Sequence, residues 1–564
     1  MKHIFALFLC LACMVVAKAQ QPEASTYPKD YFRHPLDVNV YITGSFGEIR
    51  PHHFHSGVDF GVNGKVGTPI YAPADGYVSR VNISGYGGGK VLYITHPNGL
   101  RTVYMHCNEF CGKIGEFVTQ YQYAHHCFAF DTNLADGFIK VKKGDMIARA
   151  GNTGGSFGPH LHYEVRHAHN DQPINPLYFG TSYTDGAAPV IAGIKLYPAT
   201  INTTLNGKCA EHNLPLKASK GSDTVRISGR FYTGIYAYDV PSVGSGSKNG
   251  VERIELYIDS KLAYTYRNST YLFENTRGVN SLIDFPEYKR SSRYYILTRQ
   301  LRGATFDWIE TSNRGYFYFD EPGLHKFEYK VYDLKGNKCH HSFWVRSLTP
   351  THNETAERDT TGEPIAYFVK KQISRPDFCA IIPEYTVYDN DYLTYSTSPA
   401  SIGQRHTLLL RRYPLPPHQA FTVRLRIPEG CRKDHLVIVS ANGKSRNALP
   451  TTLSDDGWLT AQTKFWGGFE IQADTTAPKV TPVNFKNNQT FSGKELQIKI
   501  SDNLSGINTY HCYINGQWQL AELDGKSATL SVSARHLVKG KNLVRMEVTD
   551  LAGNKTQLEY TLTR

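Results

Sequence analysis

With 564 residues the chain is too long for one hydrophobic core, so several domains are expected. Hydrophobic residues make up 40% and charged residues 20%, which excludes a disordered polymer. The net charge of +12 forms no long basic run, so no nucleic-acid-binding stripe is indicated.

Forty-eight Gly, 28 Pro and 37 Tyr favour many short strands joined by turns, and the fold class read from this is all-β. Residues 1–19 form a separate first segment. Lys2 and His3 precede an apolar run over 4–16, followed by Ala17-Lys18-Ala19. This is the pattern of a secretory signal peptide, too short to span a bilayer. Cys13 offers a lipidation site, but Cys10 stands where a lipobox normally has leucine, and cleavage without lipid is the preferred reading. The expected location is therefore outside the cytoplasm: periplasm, cell envelope or medium. The mature chain would be peripheral to a membrane at most. Its charge, lowered to +10 by loss of Lys2 and Lys18, would meet acidic wall polymers or lipid headgroups.

Eight cysteines remain after the leader, in a compartment where disulfides persist. None has the CxxC…CxxC spacing of a thiolate zinc knuckle. Cys209 with Cys339 and Cys379 with Cys431 fall in shared expected domains, so each pair is expected to close.

A first domain is expected over 20–184. Its strands Lys90–Thr95 and 101–106 flank Pro97-Asn98-Gly99 and predict a hairpin. The stretch of about 110–139 lacks alternation and reads as an insertion or long loop. Two further units, 185–354 and 474–564, share an internal repeat. Each opens on Ala-Pro (Ala188-Pro189, Ala477-Pro478). Each then carries an Asp and a Gly (Asp239 and Gly250, Asp502 and Gly506). Each closes on nearly the same words, Tyr332-Asp333-Leu334-Lys335-Gly336-Asn337-Lys338 and Thr549-Asp550-Leu551-Ala552-Gly553-Asn554-Lys555. They read as immunoglobulin-like sandwiches, with 355–473 a third, divergent β-domain between them.

The chemistry concentrates at His55-Ser56-Gly57-Val58-Asp59 and His160-Leu161-His162. Residues i and i+2 of a strand share a face, so His160 and His162 can enter one site. His55 and Asp59 flank a glycine that suits a bend. Two imidazoles and a carboxylate leave one tetrahedral position open, as a catalytic zinc requires. Each motif alone is common among 23 histidines; their order is not.

That order resembles the lysostaphin/LytM-type zinc endopeptidases. The similarity runs from Thr43-Gly44-Ser45-Phe46-Gly47 through 55–59, Ala72-Pro73-Ala74-Asp75-Gly76, Gly85-Tyr86-Gly87 and Tyr104-Met105-His106. It continues through Lys143-Gly144-Asp145 and Gly151-Asn152-Thr153-Gly154 to Gly158-Pro159-His160-Leu161-His162-Tyr163-Glu164. The resemblance implies an N-terminal antiparallel β metallopeptidase domain followed by about three β-sandwich domains. It implies zinc (Zn2+) held by His55, Asp59 and His162, with His106 and His160 as catalytic histidines that activate a water and stabilise the oxyanion. The implied partners are stem or cross-bridge peptides of peptidoglycan. Glu164 shares the His162 face and is a candidate to orient it, the alternative being a surface carboxylate. His52, His53, His125 and His126 are expected to be solvent-facing loop histidines, and His96 structural. Two competing functions are a wall-bound, non-catalytic activator of other hydrolases and a cell-surface protein that binds through its sandwiches. The first is disfavoured because all five site residues are kept.

Overall fold

The computed structural model describes residues 26–183, 185–216, 224–241, 246–348, 361–396, 403, 405–442 and 445–564. The expected leader, 1–19, lies outside them. The described chain is nearly all strand, and none of its helices is long and apolar enough to cross a membrane.

The N-terminal unit is built on an antiparallel sheet. From one edge its order is Ile42–Gly44, Val58–Gly61, His160–His167, Leu100–Met105, Lys90–Thr95, Gly76–Ile83 and Phe130–Asn133. The hairpin at Pro97-Asn98-Gly99 forms as expected, with Gly99 at φ +79 and Thr95 opposite Arg101. A second sheet of Pro69–Tyr71, Met146–Ala150 and Cys107–Phe110 packs nearby. The strand His160–His167 lies between Val58–Gly61 and Leu100–Met105. Its register sets His162 beside Asp59 on one side and Met105 on the other. Directly opposed residues share a face, so this register brings the two predicted ligands together.

The segment read as a loop differs. Residues Gly112–His125 form an α-helix that turns Ile114, Val118 and Gln122 inward and ends at His126 in the left-handed conformation. Four-residue spacing places these three on one face.

The repeat is visible in the sheets. In the first copy Lys338–Ser347 pairs parallel with Thr224–Ser228 and antiparallel with Gly323–Tyr332, which continues to Arg253–Ile258 and Lys261–Tyr266. In the last copy Lys555–Thr563 pairs parallel with Gln489–Thr490 and antiparallel with Lys541–Asp550, followed by Ile507–Ile514 and Gln517–Gln519. Each copy has a second, four-stranded sheet. Between them, residues 363–473 form sheets of six and five strands over a separate core that includes Phe378, Val423 and Phe469.

The hydrophobic core does not stop at residue 185. One continuous cluster runs from Phe32 to Val345, through Phe54, Tyr271, Phe306 and Trp308, and joins the N-terminal unit to the first sandwich. Phe54 meets Tyr271 and Trp308 at ring distances of 5.4 Å each. The last sandwich folds back onto the N-terminal unit. Gly525 N–H donates to Gly85 O (3.1 Å), and Lys90 pairs with Glu522 at 2.8 Å. Trp518 stacks on His126 at 5.0 Å and meets Tyr123 edge-on at 5.3 Å.

All eight described cysteines carry free thiols, which corrects the expected pairings Cys209–Cys339 and Cys379–Cys431. Sharing a domain does not bring two Cβ atoms to bonding distance. Cys379 is buried in its strand, and Cys209 is exposed.

Candidate metal centre

His55, Asp59 and His162 are all buried and place one donor atom each around a common point. His55 Nε2 lies 2.9 Å from His162 Nδ1 and 3.1 Å from Asp59 Oδ1, and His162 Nδ1 lies 2.8 Å from the same oxygen. Gly57 makes the bend possible: a Cβ there would stand 2.4 Å from Tyr163 O and 2.9 Å from His162 Nε2.

The other nitrogen of each ring fixes its tautomer. His55 Nδ1 is 2.7 Å from Ser45 O, and His162 Nε2 is 2.9 Å from Glu164 Oε1. A carbonyl and a carboxylate can only accept, so these nitrogens carry the protons. In the neutral rings two bare nitrogens therefore face each other beside a carboxylate, an arrangement that a cation between them stabilises. Two donors about 2.0–2.1 Å from a tetrahedral zinc stand about 3.3 Å apart, a few tenths more than the spacings here. The donor set fits zinc.

Burial lowers His162, but hydrogen bonds to Asp59 and Glu164 overcome it and push the ring up to about 9. Burial dominates at His55 and pushes it down to about 4.

Glu164 is fully buried. Its Oε1 also accepts from Ser56 Oγ at 2.5 Å, and its Oε2 accepts from Arg166 Nε. Burial pushes its carboxyl up, yet Arg166 and the His162 N–H outweigh this and hold it at about 2. It is thus an ionised acceptor that orients His162, as carboxylates behind metal-bound histidines do.

His106 and His160 stand together on the open side, their rings 4.9 Å apart. His106 Nδ1 is 2.8 Å from Thr153 O, and His160 Nδ1 is 2.9 Å from Gly158 O. Each carbonyl fixes the proton on Nδ1 and leaves Nε2 as the basic atom. His160 Nε2 lies 3.5 Å from Asp59 Oδ1. His106 follows its strand in the left-handed region, at φ +61, which turns its ring out of the strand's alternation.

The remaining histidines are elsewhere. His53, His125 and His126 are exposed, and His52 is half-buried against Asn280. His96 is held by Asp75 O and Thr102 Oγ1 and is structural. Sequence reading missed Arg50, whose Nη2 donates to Asp59 Oδ2 at 2.7 Å. It also missed Ser45, whose carbonyl holds His55 while its hydroxyl accepts from Gly250 N–H at 2.9 Å. Ser45 lies inside the Thr43–Gly47 motif quoted above; Arg50 lies in no motif, and only the fold brings it near.

Residues 53–124 and 129–176 match peptidase family M23. The N-terminal unit is an M23 domain. All five site residues, His55, Asp59, His106, His160 and His162, fall within the matched residues. Residues 363–474 match a Zu5-like domain. The M23 domain is similar to an uncharacterized metalloprotease of Haemophilus influenzae, 35% identical over 28% of this chain and 28% of that protein. It is also similar to the peptidoglycan DD-endopeptidase ShyA of Vibrio cholerae, 32% identical over 26% of this chain and 29% of that one. The chain thus spans less than a third of the length of these relatives. Among solved structures, the catalytic domain of lysostaphin from Staphylococcus simulans is 25% identical over 25% of this chain and 93% of its own, with a TM-score of 0.20.

Proposed function

We propose that this protein is an exported zinc metalloendopeptidase that hydrolyses peptide cross-links of bacterial peptidoglycan. The observation that carries the reading is the convergence of His55 Nε2, His162 Nδ1 and Asp59 Oδ1 within 3.1 Å, with two further histidines beside them. Relatives named as peptidoglycan DD-endopeptidases support the substrate class. Retention of all five residues favours catalysis over a non-catalytic activator.

His55, Asp59 and His162 would hold the ion. When bound, zinc supplies Lewis acidity that polarises a carbonyl and acidifies water. The chain supplies the rest. His106 and His160, each fixed at Nδ1, offer Nε2 atoms on the open side. One takes the proton of the attacking water, and a protonated ring then faces the developing oxyanion and gives its proton to the leaving amine. Arg50 fixes the second oxygen of Asp59, so that Oδ1 stays aimed at the site.

The test is digestion of purified sacculi by zinc-loaded protein, with the products identified by mass spectrometry and zinc measured on the same sample. Released cross-link peptides, lost together with zinc in His162→Ala, are expected. Intact sacculi after incubation with fully zinc-loaded protein would sink the proposal.

A further inference from the structure

We propose that Asp185, Asp239, Asp333 and the side-chain oxygen of Asn249 form a calcium-binding site where the M23 domain meets the first sandwich. The three carboxylates each place an oxygen within 4.8 Å of the others, a spread one ion about 2.3–2.6 Å from each can satisfy. Asp239 and Asp333 are each 5% exposed.

A second observation is independent of the acidic residues. Asn249 is 1% exposed, and among the described residues neither its Oδ1 nor its Nδ2 has a hydrogen-bond partner. A buried amide without partners is costly, and native structures rarely tolerate one. Asn249 lines the same cavity as all three carboxylates, a space of about 40 Å³, enough for one ion. Oδ1 of Asp239 is likewise without a partner. Burial, then Asp185 and Asp333, push the Asp239 carboxyl up to about 7.

The donors are all oxygen, which selects a hard cation, and an irregular carboxylate-and-amide set suits calcium better than octahedral magnesium. Ile42, Ser45 and Phe46 of the M23 domain also line the cavity, so the ion would sit across the junction.

The last sandwich repeats the trio as Asp474, Asp502 and Asp550. There Ser505 stands at the asparagine position, and backbone N–H groups of Ser505, Leu504 and Gly506 already donate to Asp474 and Asp502. The inference is confined to the first copy.

The experiment uses the full zinc-loaded chain dialysed against calcium, with both metals measured. Asp239→Asn is expected to retain one calcium equivalent fewer than the wild type with zinc unchanged. An equal calcium content in the two overturns the site. Because the variant could fail to fold, the wild type is also melted at constant zinc, with and without about 1 mM calcium, the weak end of known sites. Its melting temperature is expected to rise; no rise overturns the proposal, and an equal rise with magnesium overturns the choice of calcium. If Asp239→Asn folds and shows the full wild-type rise, the ion binds elsewhere and the assignment is wrong.

Discussion

His162 and Glu164, two residues apart on one strand, meet at 2.9 Å between Nε2 and Oε1, and Arg166 on the same face completes the line. The carboxylate keeps the His162 proton on the far nitrogen, so Glu164→Gln should weaken zinc binding by ~10–100-fold while His55 and Asp59 stay in place. Competition with a chromophoric chelator measures this. Unchanged affinity would show that Glu164 does not tune the ligand.

The same carboxylate sets a pH dependence. Its folded value is about 2 against an ordinary 4.5, so between the two the unfolded chain binds the extra proton. The stability it contributes is fully present above about 4.5 and is lost as the pH falls towards about 2. The difference in melting temperature between the wild type and Glu164→Gln should shrink over that window. A difference that stays flat from about pH 6 to pH 2 contradicts the assignment.

On the proposed reading His106 and His160 should matter for turnover and not for holding zinc, because His55, Asp59 and His162 would supply the ligands. Replacing either by Ala should leave zinc content near wild type and lower cross-link cleavage by ~10²–10⁴-fold. Zinc and activity are measured on the same preparations. If a variant loses both, that histidine is a ligand.

The free thiols give a count. Denatured, unreduced protein should yield eight reactive thiols from the described cysteines, and two or four fewer would mean that disulfides form. In the native state Cys209 should react first, since it is exposed. Burial pushes the Cys107 and Cys512 thiols up to about 12, which keeps them slow.

Trp518 holds the last sandwich against the helix Gly112–His125 through His126 and Tyr123. Trp518→Ala should loosen this contact by about 0.5–1.5 kcal/mol. Hydrogen exchange at the helix's C-terminal turn reports it: faster exchange is expected there, with the sheet around His162 unaffected. Unchanged exchange would mean that the helix needs no help from the last sandwich.

The grouping of the candidate metal ligands was legible because they lie in short local motifs: the strand period places His160 and His162, and Gly57 permits the turn between His55 and Asp59. The helix Gly112–His125 was not legible. Its buried face is only Ile114, Val118 and Gln122, glycines stand at 112 and 115, and Cys111 offers no side-chain cap, so neither period nor start signal marks it. Arg50 lies only nine residues before Asp59 but in no motif, and the Ser45–Gly250 bond joins distant segments, which no local pattern encodes. The thiol pairings failed for a related reason, since domain membership says nothing about Cβ geometry.

Ser45 touches both halves of the molecule, its carbonyl on the His55 ring and its hydroxyl on Gly250 of the neighbouring sandwich. Tyr271 OH, on Phe54 O one residue before His55, makes the same connection from the other side. A fragment ending after residue 184 would keep the whole M23 motif but give up both anchors and open the face of Phe54 to water. The M23 domain is therefore not a cartridge that can be lifted out and grafted elsewhere; its tail is part of the mould that shapes it.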